Sequence, residues 1–244
     1  MTSYRSAGES QQTRNAAVGS IPNAMDLSVI SVRRSVRGRL YAAVVSDILD
    51  DLGHRDHCLD PAMRPLGRSE VIAGLANPLL VTEVDQIPAE PYTGEIGALD
   101  DVRPGEVILV AAGGSARAAC WGELFSTAAH ARGARGTLVD GYCRDARNIA
   151  SLGYPVWCRG TLPLDCKGRA AVTAWRQPAV VGGLQVRPGD LVVADDDGVV
   201  VVPAELADET IRRALAKASK EHGLRDALEA GSTLRAAYDR FGVL

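Results

Sequence analysis

Residues 121–169 read WGELFSTAAHARGARGTLVDGYCRDARNIASLGYPVWCRGTLPLDCKGR. The first part has the spacing of a helix, and the short apolar run at 136–139 that follows it is typical of a buried strand. Asp140-Gly141 comes directly after this run and is a strong turn signal. We therefore expect a helix, a buried strand and a turn that together place Arg144 and Asp145 at the strand's carboxyl end.

The Arg144-Asp145 pair has the chemistry of a site for an anionic, metal-chelating ligand. An aspartate carboxylate can bind a hard divalent cation, and a guanidinium can face a carbonyl or carboxylate oxygen. An isolated Arg-Asp dipeptide is more often a surface salt bridge, so the pair gains meaning only from its surroundings.

Composition and charge limit the classes of protein to which the chain can belong. The 244 residues suffice for one large domain with a full core. A formal net charge of -3 argues against nucleic acid as the main partner, which would require clustered Lys and Arg. None of the apolar runs approaches the roughly 20 residues that span a membrane, so we expect no membrane association.

The polar start of the chain and its cysteines indicate a cytoplasmic protein. Residues 1–26 are rich in Ser, Gln, Asn and Thr and lack the apolar core of a secretory signal, which predicts a flexible tail before a single domain over 27–244. The five cysteines show no metal-binding spacing and are interpreted as reduced core thiols.

The remaining sequence predicts an α/β domain with a central sheet, flanking helices and C-terminal helices. The pattern V-R-P-G-acid occurs at 102–106 and again at 186–190, and Pro-Gly favours a tight turn before each following strand. Two independent turns and an internal duplication explain this pattern about equally well. Neither the dinucleotide-binding G-x-G-x-x-G nor the phosphate-binding G-x4-G-K-[ST] motif occurs. Helices are expected at 41–53, 205–221 and 225–240, strands at 71–76, 79–84, 106–111, 190–194 and 199–203, and a loop at 85–98.

An ordered series of short motifs resembles the RraA-like family. This family includes the class II 4-hydroxy-4-methyl-2-oxoglutarate / 4-carboxy-4-hydroxy-2-oxoadipate aldolases and the regulator of ribonuclease E activity. The resemblance extends from about residue 40 to residue 244, and the series is far more specific than any single motif. The matching residues are Ser46-Asp47, Arg103-Pro104-Gly105, Gly122-Glu123, Arg132-Gly133, Asp140-Gly141-x-x-Arg144-Asp145, Pro155-Val156 with Arg159-Gly160, the D-x-K-G of Asp165 to Gly168, and Pro188-Gly189-Asp190 with Asp195-Asp196-Asp197-Gly198-Val199.

The resemblance implies a β/β/α swivelling-type domain that forms homotrimers or homohexamers with sites between subunits. In the aldolases of this family, the aspartate corresponding to Asp145 binds Mg²⁺ or Mn²⁺. The adjacent arginine, here Arg144, contacts the keto oxygen of a small keto acid. The segment Gly122, Glu123, Leu124 and Phe125 would bind the substrate carboxylate through backbone N–H groups, as a helix N-terminus can. Glu123 would orient the water that acts as general base. Lys167 would meet the distal acid group, or it is simply a solvated lysine.

The implied activity is retro-aldol cleavage of a 4-hydroxy-2-oxo diacid to pyruvate, with oxaloacetate decarboxylation at the same site. One residue departs from the aldolase pattern R-D-x-x-E/D: Asn148 stands at the acidic position, and Arg147 before it adds a positive charge. Two alternatives therefore stay open. One is a family enzyme for a different 2-keto or hydroxy acid, and the other is a non-catalytic ring that binds a protein partner.

Several other polar or aromatic residues have simple structural explanations. His130 is expected to be packed or solvated within a helix. The segment of His54 and His57 is expected to be a polar loop, with a metal site that includes the nearby Asp56 and Asp60 as the alternative. Cys143 is expected to be a packing residue, although Arg144 could lower the pKa of its thiol. Asp195-Asp196-Asp197 is interpreted as turn chemistry, and Trp121 as a subunit contact.

Overall fold

The computed structural model describes residues 40–67 and 71–244 as a mixed α/β fold around one large sheet. The tail predicted over 1–26 and the domain start at residue 27 lie outside these residues. The helices are α1 (Ala42–Asp51), α2 (Thr93–Asp100), α3 (Glu123–Ala131), α4 (Ala146–Leu152), α5 (Ala207–Glu229) and α6 (Leu234–Phe241), with a 3-10 turn at Ala204–Leu206. The strands are β1 (Arg64–Pro65), β2 (Ile72–Glu83), β3 (Glu106–Ala111), β4 (Ala119–Trp121), β5 (Gly136–Cys143), β6 (Val156–Thr161), β7 (Ala170–Trp175), β8 (Ala179–Val181), β9 (Leu184–Val186), β10 (Leu191–Ala194) and β11 (Val199–Val202).

Four parallel strands at the centre of the sheet position the candidate site. The main path of the nine-stranded sheet runs β1-β6-β5-β3-β2-β10-β11, with β4 paired to β5 and β7 paired to β2. Strands β2, β3, β5 and β6 are parallel neighbours, and helices α2, α3 and α4 connect them in turn. The carboxyl ends of neighbouring parallel strands lie at the same edge of a sheet, where ligands bind in open α/β folds. Cys143 at the end of β5 is accordingly opposite Thr161 at the end of β6.

The sheet is buried on both faces, which explains its continuous apolar strands. Along β3, Ile108 and Val110 belong to the cluster that packs against α2, α3 and α4. Val107 and Leu109 point to the opposite face and pack with residues of β8 to β11. A third cluster joins α1 and α5 to the outer face of β10 and β11.

The repeated V-R-P-G-acid motif forms the same turn twice. In each copy the acidic side chain accepts a hydrogen bond from the backbone N–H of the arginine three residues earlier, at 2.9 Å for Glu106 and Arg103 and at 2.7 Å for Asp190 and Arg187. The intervening glycines have φ values of 91° and 90°, which only glycine adopts freely. Strands β3 and β10 follow these turns, as predicted.

The turn predicted at Asp140-Gly141 is wrong, because β5 continues to Cys143. The register between β5 and β6 shifts between Val139 and Tyr142, so the two residues form an irregularity inside the strand. The buried carboxylate of Asp140 accepts hydrogen bonds from Arg159 Nε at 2.6 Å and from the Gly182 N–H at 2.9 Å. Asp140 is therefore a partner for distant segments, which its local sequence could not reveal.

The two strands predicted at 71–76 and 79–84 form a single strand, β2. Proline lacks an N–H and is tolerated in a sheet where no ladder hydrogen bond is needed from it. Pro78 lies between the part of β2 that pairs with β10, up to Leu75, and the part that pairs with β7, from Leu79. Its missing donor therefore falls in the gap between these two neighbours.

Most of the helix α2 (Thr93–Asp100) falls in the predicted loop 85–98, which is a third correction. Gly94 approaches the β7 backbone so closely that a Cβ there would lie 1.9 Å from the Val172 carbonyl oxygen, and the buried Glu95 accepts from the Val172 N–H at 3.1 Å. The C-terminal helices are also divided differently from the prediction. Helix α5 runs on through Gly223, where a Cβ would meet the Phe241 ring at 2.8 Å, and α6 begins only at Leu234.

Candidate active site

The Arg144-Asp145 pair lies at the carboxyl end of β5, as predicted. The Arg144 N–H donates to the Trp121 carbonyl at 2.9 Å, which fastens the end of β5 to β4. Asp145 has left-handed backbone angles, φ 60° and ψ 31°, and directly precedes α4. Such a conformation costs a non-glycine residue free energy and is often found at functional sites.

The side chain of Asp145 turns toward the N-terminus of α3 instead of capping its own helix. Its Oδ2 accepts a hydrogen bond from the Glu123 N–H at 3.3 Å. Gly122, which precedes this helix, has no room for a side chain: a Cβ there would lie 2.9 Å from Asp145 Oδ2 and 3.2 Å from Arg144 Cγ. Gly122 therefore lets the Arg-Asp pair approach the helix N-terminus.

Arg144 is held between two carboxylates, one of which we did not predict. Its Nε lies 3.5 Å from Asp145 Oδ2, and its Nη1 lies 3.1 Å from Asp165 Oδ1. Asp165 also accepts a hydrogen bond from the Tyr92 hydroxyl. The sequence signal for Asp165 was the D-x-K-G motif, but Tyr92 had no signal of its own.

The pKa values in this cluster follow from its contacts. Burial favours a higher pKa for Asp165, but the Tyr92 hydroxyl and the Arg144 guanidinium hold that pKa below its ordinary value. The hydrogen bond to Asp165 raises the pKa of Tyr92 to about 12. Asp165 is thus ionised and Tyr92 is a proton donor at neutral pH.

The pair opens on a solvent-filled cleft of about 380 Å³. The cleft lies where β5 and β6 end, so it has the position that the parallel topology predicts for a ligand site. Its walls combine a cation and a carboxylate with a short apolar segment after β6. The lining residues are Arg144, Asp145, Ala146, Thr161, Leu162 and Pro163.

The predicted substrate-binding residues of α3 divide into backbone and side-chain roles. Leu124 is 73% exposed, while the Phe125 ring packs edge to face on Trp121 with centroids 5.7 Å apart. The side chain of Phe125 is thus part of the core, and only its backbone N–H is suited to ligand binding. Glu123 Oε1 accepts from the Thr127 hydroxyl at 2.8 Å, which draws this carboxylate along its own helix.

Lys167 is exposed in the loop that carries Asp165. The backbone N–H groups of Cys166 and Lys167 bond the Asp165 carboxylate and favour its ionised form. The loop therefore holds the Asp165 carboxylate in place. Lys167 does not line the cleft between Arg144 and Pro163, and its role toward a substrate stays a prediction.

The donor set suits Mg²⁺ or Mn²⁺ bound mainly by water and substrate oxygens. Among residues 40–67 and 71–244, no group of three or more His, Cys, Asp or Glu side chains is arranged to hold a metal. Mg²⁺ needs no such group, because it keeps several waters and often uses one or two carboxylates. Asp145 offers one carboxylate, 40% exposed, in the space that the missing Cβ of Gly122 leaves free.

The other candidate residues have structural roles. His57 is buried, with its ring nitrogens bonded to Ser46 Oγ at 2.8 Å and to the His54 carbonyl. His130 is exposed at the end of α3. Asp195 Oδ1 accepts from the Asp197 N–H at 2.9 Å, which confirms the predicted turn.

Cys143 and Trp121 are both buried in the core of the chain. Cys143 is fully buried, and its contact with Cys158 together with burial raises its pKa well above the usual value, opposite to activation by Arg144. Trp121 is 2% exposed within the core of its own chain, so the subunit contact predicted for it is wrong.

The fold agrees with comparisons to known proteins. A model of the RraA-like family (Aldolase/RraA) matches residues 42–201, so the chain belongs to that family. A Halalkalibacterium halodurans protein named "Putative 4-hydroxy-4-methyl-2-oxoglutarate aldolase" is 30% identical over 184 residues, which cover 75% of this chain and 82% of that protein. Protein DlpA of Legionella pneumophila is 29% identical over 204 residues, which are 82% of this chain but only 32% of DlpA.

Two solved structures confirm the predicted fold class. An uncharacterized protein from Pseudomonas syringae pv. tomato has a TM-score of 0.75 and 33% identity, covering 85% of this chain and 96% of that one. Streptomyces coelicolor RraAS2, described as an unusual member of the RNase ES inhibitor RraA protein family, has a TM-score of 0.70 and 34% identity, covering 79% and 96%. Within the described residues, no helix combines the length and apolarity that crossing a membrane requires.

Proposed function

We propose that this protein is a divalent-metal-dependent lyase that cleaves a 4-hydroxy-2-oxo diacid to pyruvate by a retro-aldol reaction. Decarboxylation of oxaloacetate would be a second activity of the same site. The observation that carries the proposal is that the Arg144 guanidinium and the Asp145 carboxylate line one cleft, while Asp145 also contacts the N-terminus of α3 through the Glu123 N–H. Relatives named as aldolases at about 30% identity support it.

The N-terminus of α3 binds the substrate carboxylate in this proposal. The first N–H groups of a helix have no partner in their own helix, and the helix dipole favours an anion there. The Glu123 N–H bonds Asp145, so the next two donors, at Leu124 and Phe125, remain for the substrate. Gly122 keeps the approach to these groups open.

Arg144 stabilises the charge that develops when the carbon–carbon bond breaks. A base removes the proton of the 4-hydroxyl, the C3–C4 bond breaks, and its electron pair moves onto C3, C2 and the 2-keto oxygen as an enolate. Protonation of C3 then gives pyruvate. Loss of carbon dioxide from oxaloacetate yields the same enolate, so one guanidinium at this oxygen serves both reactions.

Asp145 holds the divalent cation, and two further residues assist. When bound, Mg²⁺ or Mn²⁺ supplies Lewis-acid polarisation of the substrate's carboxylate and keto oxygens. In this proposal Glu123 orients the water that removes the 4-hydroxyl proton, and Lys167 reaches the distal carboxylate from outside the cleft. Asn148 lies at the start of α4, with its N–H bonded to the Asp145 carbonyl at 2.9 Å, and adds no charge to this site. This difference supports, as an alternative within the proposal, a family enzyme for a different 2-keto or hydroxy acid.

Assembly and location are part of the proposal. The cleft is open and Leu124 beside it is 73% exposed, which supports a homotrimer or homohexamer whose neighbouring subunit completes the site. All five cysteines carry free thiols, which supports a cytoplasmic location.

A second candidate function is a non-catalytic ring that binds a protein partner. The likeness to RraAS2, described as a member of an RNase inhibitor family, supports this candidate. The neutral Asn148 is consistent with it as well. The partly exposed Arg144–Asp145–Asp165 cluster favours the enzyme, because a ring that only binds a protein has no need of a cation and a carboxylate beside a helix N-terminus.

The decisive experiment measures pyruvate release from oxaloacetate and from 4-hydroxy-4-methyl-2-oxoglutarate. We expect turnover with Mg²⁺ or Mn²⁺, none with EDTA, and a loss of at least about 10²-fold in Asp145→Ala. Asp85→Ala is the matched control, because Asp85 is an exposed aspartate paired with an arginine, Arg117, away from the cleft. Turnover that persists in Asp145→Ala would refute the metal-dependent mechanism. Absence of turnover with a panel of 2-keto and hydroxy acids, in protein that is folded, would favour the binding ring.

A further inference from the structure

The guanidinium of Arg144 contacts two carboxylates at different distances. Its contact with Asp165 is 3.1 Å, whereas its contact with the adjacent Asp145 is 3.5 Å. A guanidinium is a rigid planar fork, so contacts at two of its nitrogens fix its orientation. Nε and Nη1 make these two contacts, and Nη2 takes part in neither of them.

Asp165 is itself held by several hydrogen bonds. Its Oδ2 accepts from the Tyr92 hydroxyl, and the N–H groups of Cys166 and Lys167 bond the same carboxylate. The backbone beside it is fixed too, because the Ala119 N–H donates to the Leu164 carbonyl at 2.9 Å. The carboxylate therefore cannot swing away from Arg144 without losing several hydrogen bonds.

Tyr92 connects Asp165 to the start of helix α2. Its backbone is left-handed, with φ 66°, at the start of that helix, and its carbonyl accepts from the Ile96 N–H at 2.8 Å. A left-handed tyrosine is strained. At this position the backbone carries the phenol hydroxyl to Asp165, on the far side of the arginine from Asp145.

We propose that Asp165, held by Tyr92, is the positioning residue for Arg144. It draws the guanidinium away from Asp145, so that Nη2 remains for the substrate oxygen and the Asp145 carboxylate remains for the divalent cation. Without Asp165, Arg144 would close on Asp145 as a bidentate ion pair, the preferred geometry of an arginine and an aspartate. This inference rests on the proposed function, because Arg144 and Asp145 have their roles there.

The first test is a double-mutant cycle on pyruvate release. We expect Asp165→Asn to lower kcat about 10- to 100-fold with KM changed less than about threefold, since a mispositioned arginine acts mainly in the transition state. Tyr92→Phe keeps Asp165 and should lose less, about three- to tenfold. In an Arg144→Ala background, Asp165→Asn should change kcat by less than about twofold, because the residue acts through Arg144. An equal loss in both backgrounds would overturn the proposal.

The second test does not need turnover. Mn²⁺ binding is measured by electron paramagnetic resonance, and binding of oxalate, a planar dianion that resembles the pyruvate enolate, by calorimetry with Mn²⁺ present. We expect Asp165→Asn to weaken both about tenfold. Combination with Arg144→Ala should restore Mn²⁺ affinity, because the competing guanidinium is gone. If the Mn²⁺ affinity stays low, Asp165 acts through its own charge and the proposal is wrong.

Controls separate the possible failures. Asp85→Asn removes a carboxylate from the ion pair with Arg117, and Tyr154→Phe removes a buried hydroxyl bonded to Thr137 at 3.0 Å. Neither should change kcat or Mn²⁺ affinity, and thermal melts verify that all variants fold. Wild-type protein that binds Mn²⁺ and oxalate but has no turnover would refute the proposed reaction, and the binding cycle would still decide on Asp165. Wild-type protein that binds neither ligand would overturn both.

Discussion

Arg144 and Arg176 are two of the arginines that each bridge two carboxylates, but their surroundings differ. Arg176 follows β7 and donates from Nε to Asp101 and from Nη1 to Glu106, both at 2.6 Å. Its Nη2 is also used, by the Asp101 carbonyl and by Glu106. Arg144 has two longer contacts, of 3.1 and 3.5 Å.

Exposure separates the two clusters as well. The side chains of Arg176 and Glu106 are 21% and 10% exposed, whereas those of Arg144 and Asp145 are 37% and 40% exposed. Glu106 begins β3 and Arg144 follows β5, so the clusters lie at opposite ends of the parallel strands. All three nitrogens of one arginine are satisfied within the chain, while the other retains donors beside a cleft. We infer that the first stabilises the fold and the second serves a ligand.

Removal of each guanidinium tests this comparison with the largest effects. Arg144→Ala should lower kcat for pyruvate release about 10³-fold and leave the free energy of unfolding nearly unchanged. Arg176→Ala leaves the buried Glu106 without its cation and should cost about 3 kcal/mol of unfolding free energy, with kcat close to wild type while the protein is folded. Steady-state kinetics and urea denaturation measure the two quantities. A variant that loses kcat and unfolding free energy in equal measure would contradict the assignment of Arg144 to ligand binding and of Arg176 to stability.

The sequence predicted the location of one arginine and not that of the other. Arg144 follows an apolar run and precedes a helix, and both patterns are local. Arg176 reaches Glu106 only because β7 pairs with β2 beside β3, which no local pattern encodes. The repeated turn motif did predict where Glu106 begins its strand.

Local sequence patterns also fail to predict the contacts of the residues that support the site. The D-x-K-G motif identified the Asp165 loop, but its contact with Arg144 depends on how that loop packs on β4. The helix α2 that follows Tyr92 was not predicted, because Pro and Gly nearby outweighed the contacts that Gly94 and Glu95 make with β7. Asp140-Gly141 was assigned to a turn for the same reason. At these two places the contacts with distant segments, which are Val172 for α2 and Arg159 and Gly182 for Asp140, outweighed the local turn signals.

Substitution of one glycine beside each arginine cluster tests the same comparison, with effects of intermediate size. Gly122→Ala places a Cβ 2.9 Å from Asp145 Oδ2, so the carboxylate must shift. We expect about a tenfold loss in kcat and in Mn²⁺ affinity, with a small change in stability. Gly97→Ala places a Cβ 3.0 Å from the Trp175 ring, which donates to Asp101 at 3.1 Å. It should cost about 1 kcal/mol of unfolding free energy and leave kcat unchanged. A catalytic loss in Gly97→Ala would show that the Arg176 cluster influences the site.

The smallest expected effect is a difference in the pH dependence of stability. Burial favours a higher pKa for Asp101, but the Arg176 guanidinium prevails and holds this pKa below its ordinary value. A lowered pKa in the folded state stabilises the protein above the ordinary aspartate pKa, and the contribution disappears as pH falls through the lowered value. Asp101→Asn should therefore be less stable than wild type at pH 7, and the gap should shrink as the pH is lowered below 4.

Chemical denaturation of both proteins at a series of pH values measures this gap. Asp165 also has a lowered pKa, through Tyr92 and Arg144, so Asp165→Asn should change in the same direction. Its gap at neutral pH should be the smaller one, because the contact of Asp165 with Arg144 is longer than that of Asp101 with Arg176 and Arg144 is the more exposed arginine. A larger stability loss at Asp165 than at Asp101 would mean that the exposed cluster also holds the fold together, and the assignment of one arginine to stability and the other to ligand binding would then fail.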